Sequence, residues 1–202
     1  MVLYYSKGKW GAIVKETLVG YHGTTESNCI LIMKQKKFKF SINQEMLDKS
    51  LASHDNTYQW LGEGIYFWHR NRNRASYWAK VISKKTHEYP KVLMVPITYE
   101  EDRCFDLGKK EHYKKIKMII EKLYTEFKKT VNFEQMSRND KYKFVGAACD
   151  FLFCETKMYE KFDLIYAGFM IETDEYRIID EITPQICVKN DKVIEYSRMK
   201  IV

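Results

Sequence analysis

Proline is scarce in this 202-residue chain, with three in all, and glycine is modest at nine. No Pro/Gly-rich linker, internal repeat or low-complexity tract interrupts the sequence. One domain spanning 1–202 is therefore expected, with enough chain to bury a substantial core. No stretch reaches the roughly 18 apolar residues of a membrane span, and Met1 to Lys9 lacks the apolar segment of a signal peptide. A cytoplasmic protein with no membrane partner follows as the expectation. Five cysteines, Cys29, Cys104, Cys149, Cys154 and Cys187, are odd in number and widely spaced. They form neither a disulfide framework nor a C-x-x-C metal site, and read as buried free thiols. A Walker loop, a His-Glu-x-x-His helix and a nucleophile elbow are also missing.

Aromatics are plentiful, with 15 Tyr, 11 Phe and 4 Trp, as a folded globular protein requires. The formal charge is +7. It gathers in knots at Lys34, Lys36, Lys37 and Lys39, at Arg70, Arg72 and Arg74, and at Lys109, Lys110, Lys114, Lys115 and Lys117, followed by Lys128 and Lys129. Such knots solvate a surface, and they also attract phosphates without reading sequence.

Periodicity divides the chain into short elements. Thr17 to His22 predicts a strand. Thr25 suits a helix N-cap, and Glu26 to Gln35 a helix with Ile30, Leu31 and Met33 inward. Phe38 to Ser41 reads as a brief strand, and 43–59 as a helical turn and loop. Gly64 to Trp68 is a strand. Asn73 to Lys85 is a helix with Ala75, Trp78, Ala79 and Ile82 on one face. A strand from Lys91 to Tyr99 precedes a basic amphipathic helix, Glu111 to Lys129, with a stripe of Ile116, Ile119, Ile120, Leu123 and Phe127. Tyr142 to Cys154 is a second helix, apolar along Phe144, Ala147, Ala148, Phe151 and Leu152. Strands follow at Leu164 to Ile171, Tyr176 to Ile179, Gln185 to Val188 and Ile194 to Ile201. Without a regular βαβ rhythm, the class is α+β.

Two motifs carry the chemistry: Tyr21-His22-Gly23-Thr24 and Trp60-Leu61-Gly62-Glu63-Gly64-Ile65-Tyr66-Phe67. They bring one His, several glycines and stackable rings to two strands, which suits a flat heteroaromatic ligand. Gly62-Glu63-Gly64 precedes a strand rather than a helix, so it is no dinucleotide-binding turn of the doubly wound kind.

In this order and spacing the motifs resemble the PARP-like ADP-ribosyltransferases, the branch with a His–Tyr–variable triad. The resemblance implies a split α+β core of two small, mostly antiparallel sheets with flanking helices, and NAD as substrate. By the same resemblance His22 holds the ribose, Gly23 meets the carboxamide through its backbone, and Tyr66 and Tyr77, eleven residues apart, clamp nicotinamide. Thr24 and Phe67 complete the cofactor-binding strands. Arg74 stands where family members carry a Ser that holds the carboxamide, with Ser76 nearby. Gln185, in Pro184-Gln185-Ile186-Cys187-Val188, occupies the third triad position, often a Glu; Glu181, Glu172 and Glu63 are fallback sources of the missing charge.

Family members without that Glu transfer a single ADP-ribose. The resemblance therefore implies a mono-ADP-ribosyltransferase, of the kind found as toxins or phage-defence effectors. Its expected partners are a nucleic acid acceptor, RNA before DNA, and a neutralising antitoxin protein. A protein acceptor, an RNA 2′-phosphotransferase and an inactive module binding NAD, ADP-ribose or RNA are the alternatives. Arg70, Arg72 and Arg74 are candidates for the diphosphate or an anionic acceptor. Trp60, Phe67, Trp68 and Trp78 read as core or pocket wall. His54, His69, His87 and His112 read as solvated, with His69 placed to meet the diphosphate. No metal is implied.

Overall fold

A computed structural model of the chain describes residues 14–43, 59–127, 135–171 and 181–202. Residues 44–58 of the expected helical turn and loop at 43–59, with His54, the strand Tyr176 to Ile179, and Glu172, Lys128 and Lys129 lie outside them. The architecture is α+β: four helices and a seven-stranded mixed sheet among the described residues.

The strands are β1 (Lys15–Thr25), β2 (Ile65–His69), β3 (Pro90–Glu100), β4 (Cys104–Asp106), β5 (Leu164–Ile171), β6 (Glu181–Val188) and β7 (Lys200–Ile201). Their order in the sheet is β4-β5-β6-β2-β1-β3-β7, with only β4 and β5 parallel. The two sheets expected from the resemblance are hydrogen-bonded into one. The seam is thin, however. β1 and β3 share eleven residue pairs, whereas β1 and β2 share two, Gly20 with His69 and Tyr21 with Trp68.

The helices are α1 (Glu26–Gln35), α2 (Arg72–Thr86), α3 (Lys110–Phe127) and α4 (Arg138–Glu155). On one face of the sheet, α2 lays Ala75 and Ala79 on Trp68, Val92 and Tyr21. Beside it, α4 and α3 cover β5 and β4 through Ala148, Cys149, Leu152, Phe153 and Ile116. The opposite face buries Phe67, Leu93, Val95 and Ile97 under Cys29 and Ile32 of α1, Phe38, and Val193, Ile194 and Met199 of the C-terminal segment. A bidentate Arg103–Asp163 pair ties the start of β4 to β5, with N–O distances of 2.6 and 2.9 Å.

Several local expectations change. In α1 the inward residues are Cys29 and Ile32, with Met33 half-buried, while Ile30 is 62% exposed and Leu31 also faces solvent. The Thr25 cap, whose Oγ1 accepts the Asn28 N–H, sets the phase, and a short helix cannot bury every apolar residue. Phe38 to Ser41 forms only an isolated bridge, Ser41 to Gly64. In α4 Phe151 is exposed. Ile194 to Ile201 is not a strand but a 3-10 turn, Tyr196–Arg198, ending in the two-residue β7. The partner edge explains this: the Pro96 carbonyl accepts the Glu195 N–H, but Pro96 has no N–H to return, so a regular ladder fails there. The thiols are free as expected, though Cys154 is exposed.

The turn before β2 is held from α4. A Cβ on Gly146 would stand 1.9 Å from the Gln59 carbonyl oxygen, so the helix approaches the turn as only glycine allows. Replacing Gly146 by Ala gains about 1 kcal/mol of helix propensity. The clash is with backbone that cannot swing away, which puts the cost in the upper part of the overpacking range, roughly 2–3 kcal/mol. Gly146→Ala is therefore expected to lower stability by about 1–2 kcal/mol net. Urea unfolding followed by tryptophan fluorescence measures this, and an unchanged midpoint would mean that α4 does not bear on the turn.

Candidate functional site

The parting of β1 from β2 makes the site. The Val19 carbonyl accepts the Arg70 N–H at 3.0 Å, so Val19, Tyr21 and Gly23 aim their backbone groups at β2 while Gly20 and His22 aim at β3. The rung after Tyr21–Trp68 would join Gly23 to Tyr66, and the register stops short of it. Instead the His22 ring enters: Nδ1 lies 2.9 Å from the Tyr66 carbonyl oxygen. The ring is wedged edge-on against Phe38, centroids 5.1 Å apart, and against Phe67 at 5.7 Å. A carbonyl only accepts, so Nδ1 carries the proton. Burial lowers the His22 pKa, outweighing the Tyr66 hydrogen bond that raises it. The ring is thus neutral, with an acceptor lone pair at Nε2 and the N–H and C=O of Gly23 open beside it.

Tyr66 is fixed at its tip. Its hydroxyl donates to the Gly62 carbonyl at 2.5 Å and accepts the Leu61 N–H at 2.9 Å. Burial raises its pKa well above the usual phenol value, which keeps the donor protonated. The turn it grips is anchored twice more. Asp150 of α4 accepts the Glu63 N–H at 2.6 Å and the Asn43 side-chain amide at 2.8 Å. Lys189 donates to the carbonyls of Leu61 and Glu63 and lies over the Phe153 ring. Gly62 has φ +71°, and a Cβ there would stand 2.1 Å from Asp150 Oδ1. Its role is this turn, not phosphate binding. Burial raises the Asp150 pKa, against the opposing pull of Lys189.

Helix α2 roofs the opening. Asn71 caps it by accepting the Arg74 N–H at 3.0 Å. A Cβ on Gly23 would stand 2.0 Å from the Ala75 carbonyl oxygen and 2.9 Å from Ala79 N, so the helix backbone rests on the strand at the glycine. Between these contact residues Tyr77 is 56% exposed, its ring free of the core and edge-on to Trp78. Arg74 is half-buried, and its Nη2 is shielded from solvent without a partner. Ser76 is half-buried; Thr24 is buried in β1, and Phe67 in the core beneath His22.

Gln185 pairs with Trp68 across β2–β6 and is 7% exposed, with Oε1 unpartnered. Two residues from Cys187, it shares the sheet face of Tyr66. The fully buried Thr183, next but one along β6, also has an unpartnered hydroxyl. The β2–β6 ladder ends here because Pro184 offers no N–H. Of the fallback carboxylates, Glu181 opens β6 opposite Ile171. Glu63 lies beyond the other end of that strand, its Oε1 accepting the Asn43 N–H at 3.2 Å. Arg70 and Arg72 are exposed. His69 is not solvated: Nδ1 lies 3.0 Å from the Tyr166 hydroxyl and Nε2 is buried without a partner. His112 is likewise no surface residue. It is buried, stacked on Phe105 at 4.5 Å, with Nδ1 held at the Asp106 backbone. Among the described residues no cluster could hold a metal ion.

The sequence reading missed Asn43, Asp150, Lys189 and Thr183. A glycine inside the α4 pattern, Gly146, was the one signal of a close approach; nothing local marked the others.

His22 has a testable pH signature. Its folded pKa is lowered from 6.5, and that of His69 is lowered too, by burial first and then by Arg70. Below the unfolded value the unfolded chain takes up protons that the fold refuses, so stability falls as pH falls. Each group contributes up to about 1.4 kcal/mol per pH unit. Thermal melts from about pH 7.5 to about pH 5.5 should show this loss, and His22→Asn should lose less over the same interval. Parallel curves would show that His22 is not held neutral.

No known protein family's sequence profile matches the chain, and no solved structure matches it. An uncharacterized protein of Methanocaldococcus jannaschii is 28% identical over 201 residues, spanning 87% of this chain and 83% of that protein.

Proposed function

We propose that this chain is an NAD-dependent mono-ADP-ribosyltransferase. The observation that carries the reading is the missing rung between Gly23 and Tyr66. It leaves one strand's N–H and C=O, side by side, facing a gap under a helix that presents an exposed tyrosine. A carboxamide offers the complementary acceptor and donor, and Tyr77 the ring to stack on its heterocycle.

The chemistry breaks the bond from nicotinamide nitrogen to the anomeric carbon, through an oxocarbenium-like transition state. The electron pair leaves with nicotinamide, and the acceptor oxygen or nitrogen bonds to the same carbon. Each residue has a part in this reading. Tyr66 and Tyr77 fix the leaving ring, and neutral His22 accepts a ribose hydroxyl at Nε2 while Nδ1 stays on the Tyr66 carbonyl. Gln185 accepts a ribose hydroxyl at its unpartnered Oε1. Orientation rather than charge then supplies most of the rate, because Gln185 is neutral. The exposed Arg70 and Arg72 and the +7 charge favour a nucleic acid acceptor, RNA first. A toxin or defence effector neutralised by an antitoxin fits a small enzyme of this kind. The neutral Gln185 favours a second reading, a module that binds NAD without turnover.

Adenine-labelled NAD incubated with the protein and RNA, DNA or cell lysate tests these readings. Label in RNase-sensitive material is expected, with nicotinamide released in equal amount. Label in protease-sensitive material moves the acceptor to protein. Nicotinamide unreleased under every condition, with NAD bound, leaves the binding module. Tyr77→Ala and His22→Ala should each lower transfer by about a hundredfold or more, the scale of losing one positioned catalytic contact.

A further inference from the structure

Arg74 is placed unlike any other arginine described. Arg103 holds Asp163, Arg198 holds Glu195, and Arg70 and Arg72 lie in solvent. Arg74 alone among these is half-buried with a guanidinium nitrogen that has neither water access nor a partner. A buried polar group left unpaired is costly, a charged one most of all, and a guanidinium so placed calls for an anion.

The neighbours say where that anion would sit. Arg74 and Tyr77 are three residues apart on α2, so they share one flank of the helix. The next residue, Ala75, is the one whose carbonyl rests on Gly23. The guanidinium is thus carried by the residue next to the one that meets Gly23, on the flank of α2 that bears Tyr77. A planar ring lying on Tyr77 would turn an edge substituent toward both.

We infer that this substituent is a carboxylate: the site takes the deamidated dinucleotide, carrying nicotinic acid in place of nicotinamide, in preference to NAD. The inference rests on the dinucleotide reading above. A carboxamide places its NH2 on the Gly23 carbonyl but offers Arg74 and the Gly23 N–H only one neutral oxygen between them. A carboxylate conjugated to the pyridine is flat, offers two charged oxygens and matches the arginine fork, while the Gly23 N–H serves the second oxygen. The Ser of the resembling family could not supply that charge. The reaction balances as before. The ring nitrogen–anomeric carbon bond breaks with its electron pair leaving on nicotinate, the acceptor atom bonds to that carbon, and the acceptor's proton passes to solvent. An ionised carboxylate makes the ring a poorer leaving group, and pairing it with Arg74 withdraws that electron density.

Calorimetric titration with NAD, the deamidated dinucleotide and ADP-ribose, on the wild type and on Arg74→Ser and Arg74→Lys, tests this. The wild type should bind the deamidated dinucleotide about tenfold or more tightly over NAD. Arg74→Ser should reverse the order, and Arg74→Lys should keep it in weakened form. Equal or tighter binding of NAD by the wild type overturns the inference and leaves the transferase reading intact. So does an Arg74→Ser loss that is the same for both dinucleotides and for ADP-ribose, since Arg74 would then hold the diphosphate. Binding of none of the three ligands by the wild type overturns the dinucleotide reading itself. Melting curves of the variants separate a lost contact from a lost fold.

Discussion

One hydrogen bond, from the His22 ring to the Tyr66 carbonyl, stands where a rung of the sheet would otherwise be. A rung contributes two backbone hydrogen bonds at about 1 kcal/mol net each, and the side-chain bond replaces only one of them. The sheet tolerates this because each strand is anchored on its other side. β1 runs along β3 for its full length, and β2 pairs with β6 at every residue from Ile65 to Trp68. The halves are thus built separately and meet at two residue pairs, with the gap below the meeting point. The same bond fixes the tautomer of His22, so the gap and the protonation of its histidine share one origin.

The turn beside the gap is tied by many hydrogen bonds, while several polar atoms of the sheet and α2 are left without a partner. The turn from Gln59 to Gly64 is tied by Tyr66, Asp150, Asn43 and Lys189, three of them distant in sequence. Arg74 of α2 and Thr183 and Gln185 of β6 each carry a shielded polar atom with no partner, as do His69, Ser83 and Tyr196. Such atoms cost about 1–3 kcal/mol apiece in an ordinary core. A fold that holds donors and acceptors in place before a ligand arrives spends no reorganisation when it binds. The contrast between the tied turn and the untied Arg74 and Gln185 atoms is what supports the proposed site.

Much of this was legible in the residue order, and the failures have physical causes. The helices Arg72–Thr86 and Lys110–Phe127 and the strand Pro90–Glu100 lie within two residues of their expected limits, because each buries a face whose period matches its backbone. Arg138–Glu155 starts four residues earlier, and Trp78 and Ile82 turn outward, leaving Ala75, Ala79 and Ser83 as the buried face of α2. The α1 residues Ile30 and Leu31 and the α4 residue Phe151 misled, since an apolar side chain does not say whether anything will cover it. The segment from Ile194 to Ile201 has a strand's composition but faces Pro96, and only the neighbouring strand's missing N–H excludes it from the ladder. His112 resembled a helix-end surface residue until Phe105 and Phe162 closed around it.

By itself the sequence determined the class of fold, the elements that carry His22, Gly23, Tyr66, Tyr77 and Gln185, and the absence of a long apolar run, because periodicity and motif spacing are local properties of the chain. Tertiary structure alone decided that β1 and β2 part after Tyr21, that α4 clamps the turn beneath Tyr66, and that Arg74 is shielded without a counter-ion. Those outcomes depend on which strands pair, on which side, and on what lies above them. No spacing along the chain encodes such facts, since each arises between residues tens of positions apart whose contact exists only once the sheet has formed.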